Sequence, residues 1–200
     1  MKHLKETIHN KKGKLNRKTR KHGIEKNVFN AENYKSGDGM LTSVWGPSLW
    51  HSLHTMSFNY PIKPTSLQKK YYKRFLEALK YTLPCRHCRD NFKANLKKYP
   101  INSKVLQDRY HFSLYVYQLH EHINTLLNKK SGLSYEDVRE RYEHFRARCT
   151  KRKTKKVKKH KGCVVPLHKF KSKGVVKIVP DETKCESLEI DEKCRILNKE

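Results

Sequence analysis

The chain has 200 residues, of which 36% are hydrophobic and 32% are charged, and its formal net charge is +27. This length allows one domain of ordinary size with tails, and the large apolar residues are concentrated between about Val44 and Phe145. No apolar run reaches the roughly 18 residues that a membrane span needs, and none follows the N-terminal charges as in a secretory signal. The composition predicts one folded core of roughly 100 residues with polar ends.

Residues 1–43 are predicted to form a basic disordered arm. The first 39 residues carry eleven Lys/Arg and four acidic residues, with few large apolar side chains and no regular period, which is typical of a segment that cannot bury enough surface to fold. A mitochondrial presequence is an alternative, since such a segment is also basic and poor in acids. Lysine outnumbers arginine here, however, and the amphipathic period is weak.

Five helices are predicted between the tails, because apolar residues recur there at helical spacing. The predicted spans are residues 45–60, 66–79, 85–99, 105–127 and 134–147. Gly46-Pro47 is a plausible entry to the first helix, and Ser66 and Ser134 are predicted N-caps. The inward-facing positions are predicted to be Leu49, Leu53, Met56, Tyr60, Leu67, Tyr71, Tyr72, Phe75, Leu76, Leu79, Phe92, Leu96, Phe112, Val116, Leu119, Ile123, Leu126 and Leu127. The pattern predicts an all-α fold, an up-and-down bundle of four helices with a short fifth helix packed across it.

The C-terminal segment, residues 149–200, is predicted to be a basic linker followed by an acidic tail. Residues 151–161 contain eight Lys/Arg and no acid, whereas the last twenty residues contain seven acids and four bases. A run of like charges repels itself and stays solvated. The acidic tail also has the charge needed to fold back transiently on the basic linker.

The net charge favours sequence-independent contacts with nucleic acid, because a strongly basic chain binds polyanions. The charge lies mainly in the two ends, and no signature of a known nucleic-acid-binding fold accompanies it. Nucleic-acid binding is therefore an auxiliary property in this interpretation. A helical nucleic-acid or virion-core binding protein without catalysis remains the alternative function.

The sequence CRHC, residues 85–88, places two cysteines three apart at the predicted start of a helix. A zinc site would need a second close Cys/His pair, and a thioredoxin-like motif would need a βαβ context. A static disulfide in so tight a ring would be strained and easily reduced. A helix N-terminus and the neighbouring Arg86, His87 and Arg89 would instead stabilise a thiolate. The pattern favours a redox-active dithiol, and no metal site is predicted.

Several short motifs on successive predicted helices accompany this pair. They comprise Trp50, Leu53 and His54; Tyr60 and Pro61; Pro84 with Cys85 and Cys88; Leu119, His120, Ile123 and Asn124; and Lys129. In this order and spacing, they resemble the Erv/Alr family of FAD-linked sulfhydryl oxidases over about residues 44–146. The basic arms and compact length are most similar to the versions carried by large cytoplasmic DNA viruses.

The resemblance implies that residues 44–148 form an FAD-binding bundle whose flavin lies against the helix that starts at the cysteine pair. It implies that FAD is bound by Gly46, Trp50, His54, Tyr60, Tyr117, His120, Glu121, Ile123, Asn124, Lys129, Arg141 and Tyr142. A reduced protein substrate would deliver electrons to Cys85, the more accessible sulfur, and Cys88 would lie nearest the flavin. Molecular oxygen would then accept the electrons and form hydrogen peroxide. The resemblance also implies a homodimer.

The chain departs from the family pattern at three places. Glu121 replaces an asparagine, which alters one polar contact to the cofactor. Tyr117 stands where the family has a cysteine, and Ser134 or Tyr135 stands near its usual partner. Losing both cysteines together is expected of a dispensable bridge. Tyr142 replaces a tryptophan and keeps an aromatic surface.

Cys185 and Cys194, in the acidic tail, are predicted to be an exchangeable second pair that shuttles electrons to the core, as relatives often have on a flexible segment. A static disulfide is the alternative, and the pairing of Cys149 and Cys163 stays open. For a viral protein the expected compartment is the cytoplasmic virus factory or the virion. The mitochondrial intermembrane space ranks second.

Overall fold

The computed structural model describes residues 30–148, 163, 165–167, 172–180, 182–183 and 191. The chain divides into two compact units between Ser36 and Gly37. In the first unit, the described residues contain the short helix α1, Ala31–Lys35, whose N-terminus is capped by Asn30. The rest of the predicted basic arm, the run at residues 151–161 and three tail cysteines, Cys149, Cys185 and Cys194, lie outside the described residues.

The described residues of the second unit contain five helices, as the sequence predicts. They are α2, Thr42–Phe58; α3, Ser66–Thr82; α4, Arg86–Lys98; α5, Arg109–Leu126; and α6, Tyr135–Glu143. Helix α2 packs against α5, α3 packs against α4, and α6 contacts both α2 and α5. Two short strands, β1 at Ala147–Arg148 and β2 at Val165–Pro166, pair antiparallel. The helical fold class is therefore confirmed.

The helix starts follow local capping chemistry. Thr65, rather than the predicted Ser66, is the N-cap of α3, and it forms a reciprocal capping box with Gln68. The predicted capping box of Ser134 and Asp137 at α6 is present. Helix α5 begins at Arg109 and not near residue 105, because the side chain of Asp108 accepts from the N–H of His111.

Helix α2 begins at Thr42, three residues before the predicted start, and contains Pro47. Gly46-Pro47 therefore lies within the helix and does not form its entry. A proline at such a position removes one intrahelical hydrogen bond. At the other end of the bundle α6 stops at Glu143, and Ala147, the predicted end of that helix, belongs to β1.

Most predicted inward positions form one core. The buried residues of this main core are Leu53, Tyr60, Leu76, Leu79, Leu83, Phe92, Leu96, Ile101, Leu106, Phe112, Tyr115, Val116 and Leu119. A second, smaller cluster joins Phe58, Val138 and Tyr142. No helix in the described part of the chain is both long enough and apolar enough to cross a membrane.

Five predicted core positions are wrong. On α3, Leu67, Tyr71 and Phe75 are 60%, 57% and 38% exposed. This helix carries two apolar stripes, and only the one with Leu76 and Leu79 is buried. Leu126 and Leu127 are also exposed, because they follow Ile123, the last α5 residue that packs against the main core.

Candidate active site

The cysteine pair lies where the structure begins α4. Cys85 is the N-cap, and its sulfur accepts a hydrogen bond of 3.2 Å from the backbone N–H of Cys88. Both thiols are free and half-buried. Cys88 packs against the main core. Cys85 is therefore placed at the outer side of the pair and Cys88 at the inner side.

The two sulfurs differ in acidity. Burial alone would raise the pKa of Cys85, but hydrogen bonds from the Cys88 thiol, from backbone N–H groups and from the Thr42 hydroxyl outweigh it and lower the pKa. Burial raises the pKa of Cys88, and so does the hydrogen bond that its thiol donates to Cys85. In the reduced pair, the negative charge therefore forms first on Cys85, the sulfur that a helix N-terminus stabilises.

A segment that precedes α2 lies along the cysteine loop. This segment, residues 37–41, is called the clasp below. The N–H of Met40 donates to the carbonyl of Pro84 at 2.6 Å, and Gly39 and Cys85 form an antiparallel bridge. The clasp thus pairs with the backbone of the cysteine loop in the manner of a short strand.

Side chains and further backbone bonds hold the clasp in place. The N–H of Arg86 donates to the carbonyl of Asp38 at 3.0 Å, and the two side chains form an ion pair of 2.8 Å. Arg89 donates to the carbonyl of Leu83 at 2.7 Å. Two arginines that the sequence suggests as thiolate-stabilising charges therefore also fix the backbone around the pair.

An aromatic cluster lies between α2, α5 and α6. The indole of Trp50 stacks on the ring of His120, with centroids 4.0 Å apart and planes 6° from parallel. Nε2 of His54 lies 2.9 Å from Nδ1 of His120. Tyr142 stacks on His54 with centroids 5.2 Å apart. Four of the residues that the sequence predicts for the cofactor site are thus brought together.

Both histidines of the cluster are neutral at physiological pH. Burial lowers the pKa of His54 to about 3, helped by the nearby His120 and His51, and burial lowers that of His120 to about 4. Their mutual hydrogen bond therefore joins two neutral rings, one of which donates. Nδ1 of His54 is buried and has no hydrogen-bond partner among the described residues.

Tyr142 closes the cluster on the side of α6. Its ring stacks on Phe58 with centroids 5.5 Å apart and planes 10° from parallel. Its hydroxyl lies 3.3 Å from Nδ1 of His51, and burial raises its pKa above the ordinary value. The position where the resemblance expects tryptophan thus presents a fixed aromatic face.

The polar residues of α5 bind one another and the loop that follows. Asn124 donates to Glu121 at 2.9 Å, and Ser131 donates to the second carboxylate oxygen of Glu121 at the same distance. The hydroxyl of Tyr117 donates to the carbonyl of Leu133 at 2.7 Å. Glu121 and Tyr117, both departures from the family pattern, therefore tie the end of α5 to the α5–α6 loop.

Other predicted site residues lie apart from these ring contacts. Tyr60 is fully buried in the main core, and its hydroxyl donates to the carbonyl of Leu106 at 3.1 Å. Ile123 packs at the edge of the same core. Lys129 is exposed just beyond α5, and Arg141 is half-buried on α6. Gly46 is buried on α2.

The aromatic cluster fits a planar, polar cofactor. The unpartnered Nδ1 of His54 is a buried hydrogen-bonding position, and such atoms are normally satisfied. A heteroatom of a bound ring would fill it. Trp50, His120 and Tyr142 supply aromatic faces, while Lys129 and Arg141 lie apart from these rings and carry positive charge. The residues present therefore fit FAD.

Two features near the cysteines escape the sequence argument. Oγ1 of Thr42 lies 3.5 Å from Sγ of Cys88, and Gly39 has a φ of +100° and touches the cysteine loop. Gly37-Asp38-Gly39 is a recognisable turn signal. Its partner, Pro84, lies more than forty residues along the chain, and a single sequence contains no signal for that contact.

The described part of the chain contains no group of three or more His, Cys, Asp or Glu residues placed to hold a metal ion. Cys163 takes part in a disulfide bond.

The chain is similar to known FAD-linked sulfhydryl oxidases. The model of the Erv1 / Alr family matches residues 47–143. "Probable FAD-linked sulfhydryl oxidase R368" of Acanthamoeba polyphaga mimivirus is 34% identical over 104 residues, which cover 52% of this chain and 72% of that protein. The FAD-linked sulfhydryl oxidase ERV1 of Arabidopsis thaliana is 36% identical over 84 residues, and the match covers 42% of each protein.

One solved structure matches about half of this chain. The crystal structure of the FAD binding domain of Erv1 from Saccharomyces cerevisiae is 25% identical, with a TM-score of 0.47. The match covers 52% of this chain and 94% of that chain.

Proposed function

The chain belongs to the Erv1/Alr family, and from this we propose that it is an FAD-linked sulfhydryl oxidase that forms disulfide bonds in protein substrates. The reaction oxidises two thiols to a disulfide and reduces molecular oxygen to hydrogen peroxide. The observation that carries the proposal is the free Cys85–Cys88 pair at the start of α4, within the segment that the family model matches.

The two sulfurs have different roles. A substrate thiolate attacks Sγ of Cys85 in the oxidised pair, the bond between Cys85 and Cys88 breaks, and its electron pair leaves on Sγ of Cys88. The second substrate thiolate then attacks the substrate sulfur of the mixed disulfide, the bond to Cys85 breaks, and its electron pair leaves on Sγ of Cys85, which releases the substrate as a disulfide. Cys85 is suited to the outer role because Cys88 packs against the core. The enzyme is left with a reduced pair.

The residues proposed to hold FAD are Gly46, Trp50 and His54 on α2, His120, Ile123 and Asn124 on α5, Tyr142 and Arg141 on α6, and Tyr60, Tyr117, Glu121 and Lys129 around them. Bound FAD would supply an acceptor for the two electrons of the reduced pair and a donor to oxygen. The support from this chain is the buried Nδ1 of His54 and the aromatic rings that surround it. Glu121 acts by fixing Asn124.

We assign a shuttle role to Cys185 and Cys194. Both lie outside the described residues, and the assignment depends on their spacing in an acidic tail. Because β2 holds Val165–Pro166 against β1, the linker has at most the 18 steps from Leu167 to Cys185, which span on the order of 21 to 25 Å as a flexible chain. We propose that this reach serves its own active site or that of a second copy.

We propose that the enzyme is a homodimer. Support comes from the exposed apolar stripe of α3 formed by Leu67, Tyr71 and Phe75, since apolar side chains clustered on one exposed helix face are typical of an interface. Light scattering tests this. A monomeric mass for the parent chain, or a dimer unchanged by the triple substitution of these residues with lysine, would reject the stripe as the interface.

The setting of the enzyme is proposed from its relatives and its charge. Relatives named as sulfhydryl oxidases occur in mimivirus, in invertebrate iridescent viruses and in African swine fever virus. The proposed compartment is a cytoplasmic virus factory or the virion, and the mitochondrial intermembrane space is the alternative. Nonspecific contacts with nucleic acid would come from the basic ends and from residues 66–98, which carry ten Lys/Arg and two acids.

An absorption spectrum and an oxygen-uptake assay test the proposed function. The purified protein should be yellow from bound flavin, and it should consume oxygen when a small dithiol is added. A colourless protein that consumes no oxygen, but binds nucleic acid, would favour the alternative of a noncatalytic binding protein.

A further inference from the structure

The first residue of α2 touches the inner cysteine. Thr42 begins the helix, and its Oγ1 lies 3.5 Å from Sγ of Cys88. A threonine at a helix start commonly caps the helix with its hydroxyl. Here Leu41 is the N-cap, and no side chain caps α2. The hydroxyl of Thr42 therefore contacts the cysteine and does not serve its own helix.

Neighbouring groups fix this position. The indole N–H of Trp45 donates to the carbonyl of Met40 at 3.0 Å, and Met40 in turn donates to Pro84 in the cysteine loop. One turn along α2 lies Gly46, where a Cβ would stand 3.3 Å from Cγ2 of Thr42. The clasp places Thr42 beside the cysteine loop, and Gly46 leaves room for the methyl group of the threonine.

The contact matters at one stage of the thiol exchange. In the reduced pair, the thiol of Cys88 donates a hydrogen bond to Cys85. Burial and this hydrogen bond raise the pKa of Cys88. Once Cys85 is bonded to a substrate sulfur, it can accept no such proton. The charge then sits on Cys88, the leaving sulfur. A thiolate has no proton to donate, so the hydroxyl of Thr42 must be the donor in that state.

Few other groups act on Cys88. Cys85 is its ionisable partner. Arg86, His87 and Arg89 flank the pair on α4, and Asp38 of the clasp pairs with Arg86. The first turn of α2 contains no acidic residue. Replacing Thr42 therefore removes a side-chain hydrogen-bond donor to Cys88 without changing any charge.

Resting on the proposed oxidase function, we propose that Thr42 is a positioning residue, whose hydroxyl stabilises the Cys88 thiolate released when a substrate thiolate attacks Cys85. The new bond joins the substrate sulfur to Cys85, the Cys85–Cys88 bond breaks, and the electron pair leaves on Cys88. A better leaving sulfur at Cys88 directs attack to Cys85. In the reduced pair Thr42 also hydrogen-bonds Cys85, so its effect on Cys88 alone is exerted once Cys85 is bonded to the substrate.

The test uses the full chain with Cys85→Ala, which mimics the state in which Cys85 cannot hold charge. Alanine is used because a serine hydroxyl would add a second donor. Thr42→Val and Thr42→Ser are added separately, and the rate of iodoacetamide alkylation at Cys88 is followed against pH by peptide mass spectrometry. Valine should slow alkylation at neutral pH by about five-fold and raise the pH midpoint, because one hydrogen bond to the thiolate is lost. Serine should match threonine.

Two results would overturn the proposal. One is a valine variant whose pH midpoint and rate equal those of the threonine protein. The other is a serine variant that shifts as far as valine, which would assign the effect to packing of the methyl group. Alkylation requires no flavin turnover, so oxygen uptake by the parent chain decides the oxidase function separately.

Discussion

His54 and His120 share a hydrogen bond of 2.9 Å between Nε2 and Nδ1, and burial keeps both rings neutral. A neutral buried histidine makes stability depend on pH. The unfolded chain binds protons near pH 6.5, whereas the folded protein does so only near about 3 at His54 and about 4 at His120. The free energy of unfolding should therefore decrease as the pH falls from about 6.5 towards 4.

His54→Phe and His120→Phe should weaken this loss in flavin-depleted protein. Each substitution removes one group that binds a proton only on unfolding, while a ring remains in the cluster. Between about pH 7 and pH 5 each variant should lose about 2 kcal/mol less free energy of unfolding than the parent. Urea unfolding at both pH values measures this difference. A parent-like pH dependence in both variants would show that the buried pair does not control it.

Gly39→Ala should destabilise the protein through the cysteine loop. The residue has a φ of +100°, and a Cβ there would overlap the carbonyl of Pro84 and lie 2.8 Å from Cα of Cys85. Gly37→Ala is a matched control, with a φ of +66° and no atom within 4 Å of its Cβ. Alanine is strained at both positions, because both have a positive φ. Gly39→Ala should cost about 1 to 3 kcal/mol more in urea unfolding. An equal loss in free energy of unfolding for both variants would mean that the contact of Gly39 with the cysteine loop does not stabilise the protein.

Removal of residues 1–29 should leave folding and flavin content intact. This segment carries ten Lys/Arg and two acids, so its loss should lower the salt concentration at which the protein elutes from heparin and reduce the salt dependence. Deletion of residues 1–41 should also lower the thermal midpoint, because it removes the bond from Met40 to Pro84. If the shorter deletion lost flavin, residues 1–29 would have a structural role.

Cys185→Ala combined with Cys194→Ala should separate small from large substrates. A small dithiol reaches Cys85 directly, so its oxidation should persist. Oxidation of a folded protein dithiol should fall steeply, because the tail would no longer carry electrons from a bulky substrate. Oxygen uptake with both substrates provides the comparison. Equal activity of variant and parent on the protein substrate would give the tail another role.

The order of the helices and the place of the cysteine pair were predictable, because their signals are local. Capping residues such as Ser134 and Asp137 act within one turn, and helical spacing of apolar residues needs no partner. The core of α4, with Phe92 and Leu96 buried, follows from that spacing alone. The assembled motifs likewise predicted the family.

The errors concern contacts between distant segments. Helix α3 has two apolar stripes, and its own sequence does not decide that Leu76 is buried while Tyr71 is exposed. The clasp was assigned to the disordered arm because its partner is distant in the sequence. Helices α2 and α3 lie between Gly39 and Cys85, so local patterns do not reveal the bridge that these residues form. Thr42 was likewise placed in the predicted arm, and only the fold directs its hydroxyl to Cys88.

The most direct test of the proposed function is anaerobic addition of a dithiol to the parent protein and to Cys88→Ser, followed by absorbance. Both proteins should contain flavin, since Cys88 is not among the residues proposed to hold it. The parent flavin should bleach with dithiol and recover when oxygen is admitted, while the Cys88→Ser flavin should keep its colour. A parent protein without flavin, or a Cys88→Ser protein that bleaches as fast as the parent, would contradict electron transfer through the Cys85–Cys88 pair.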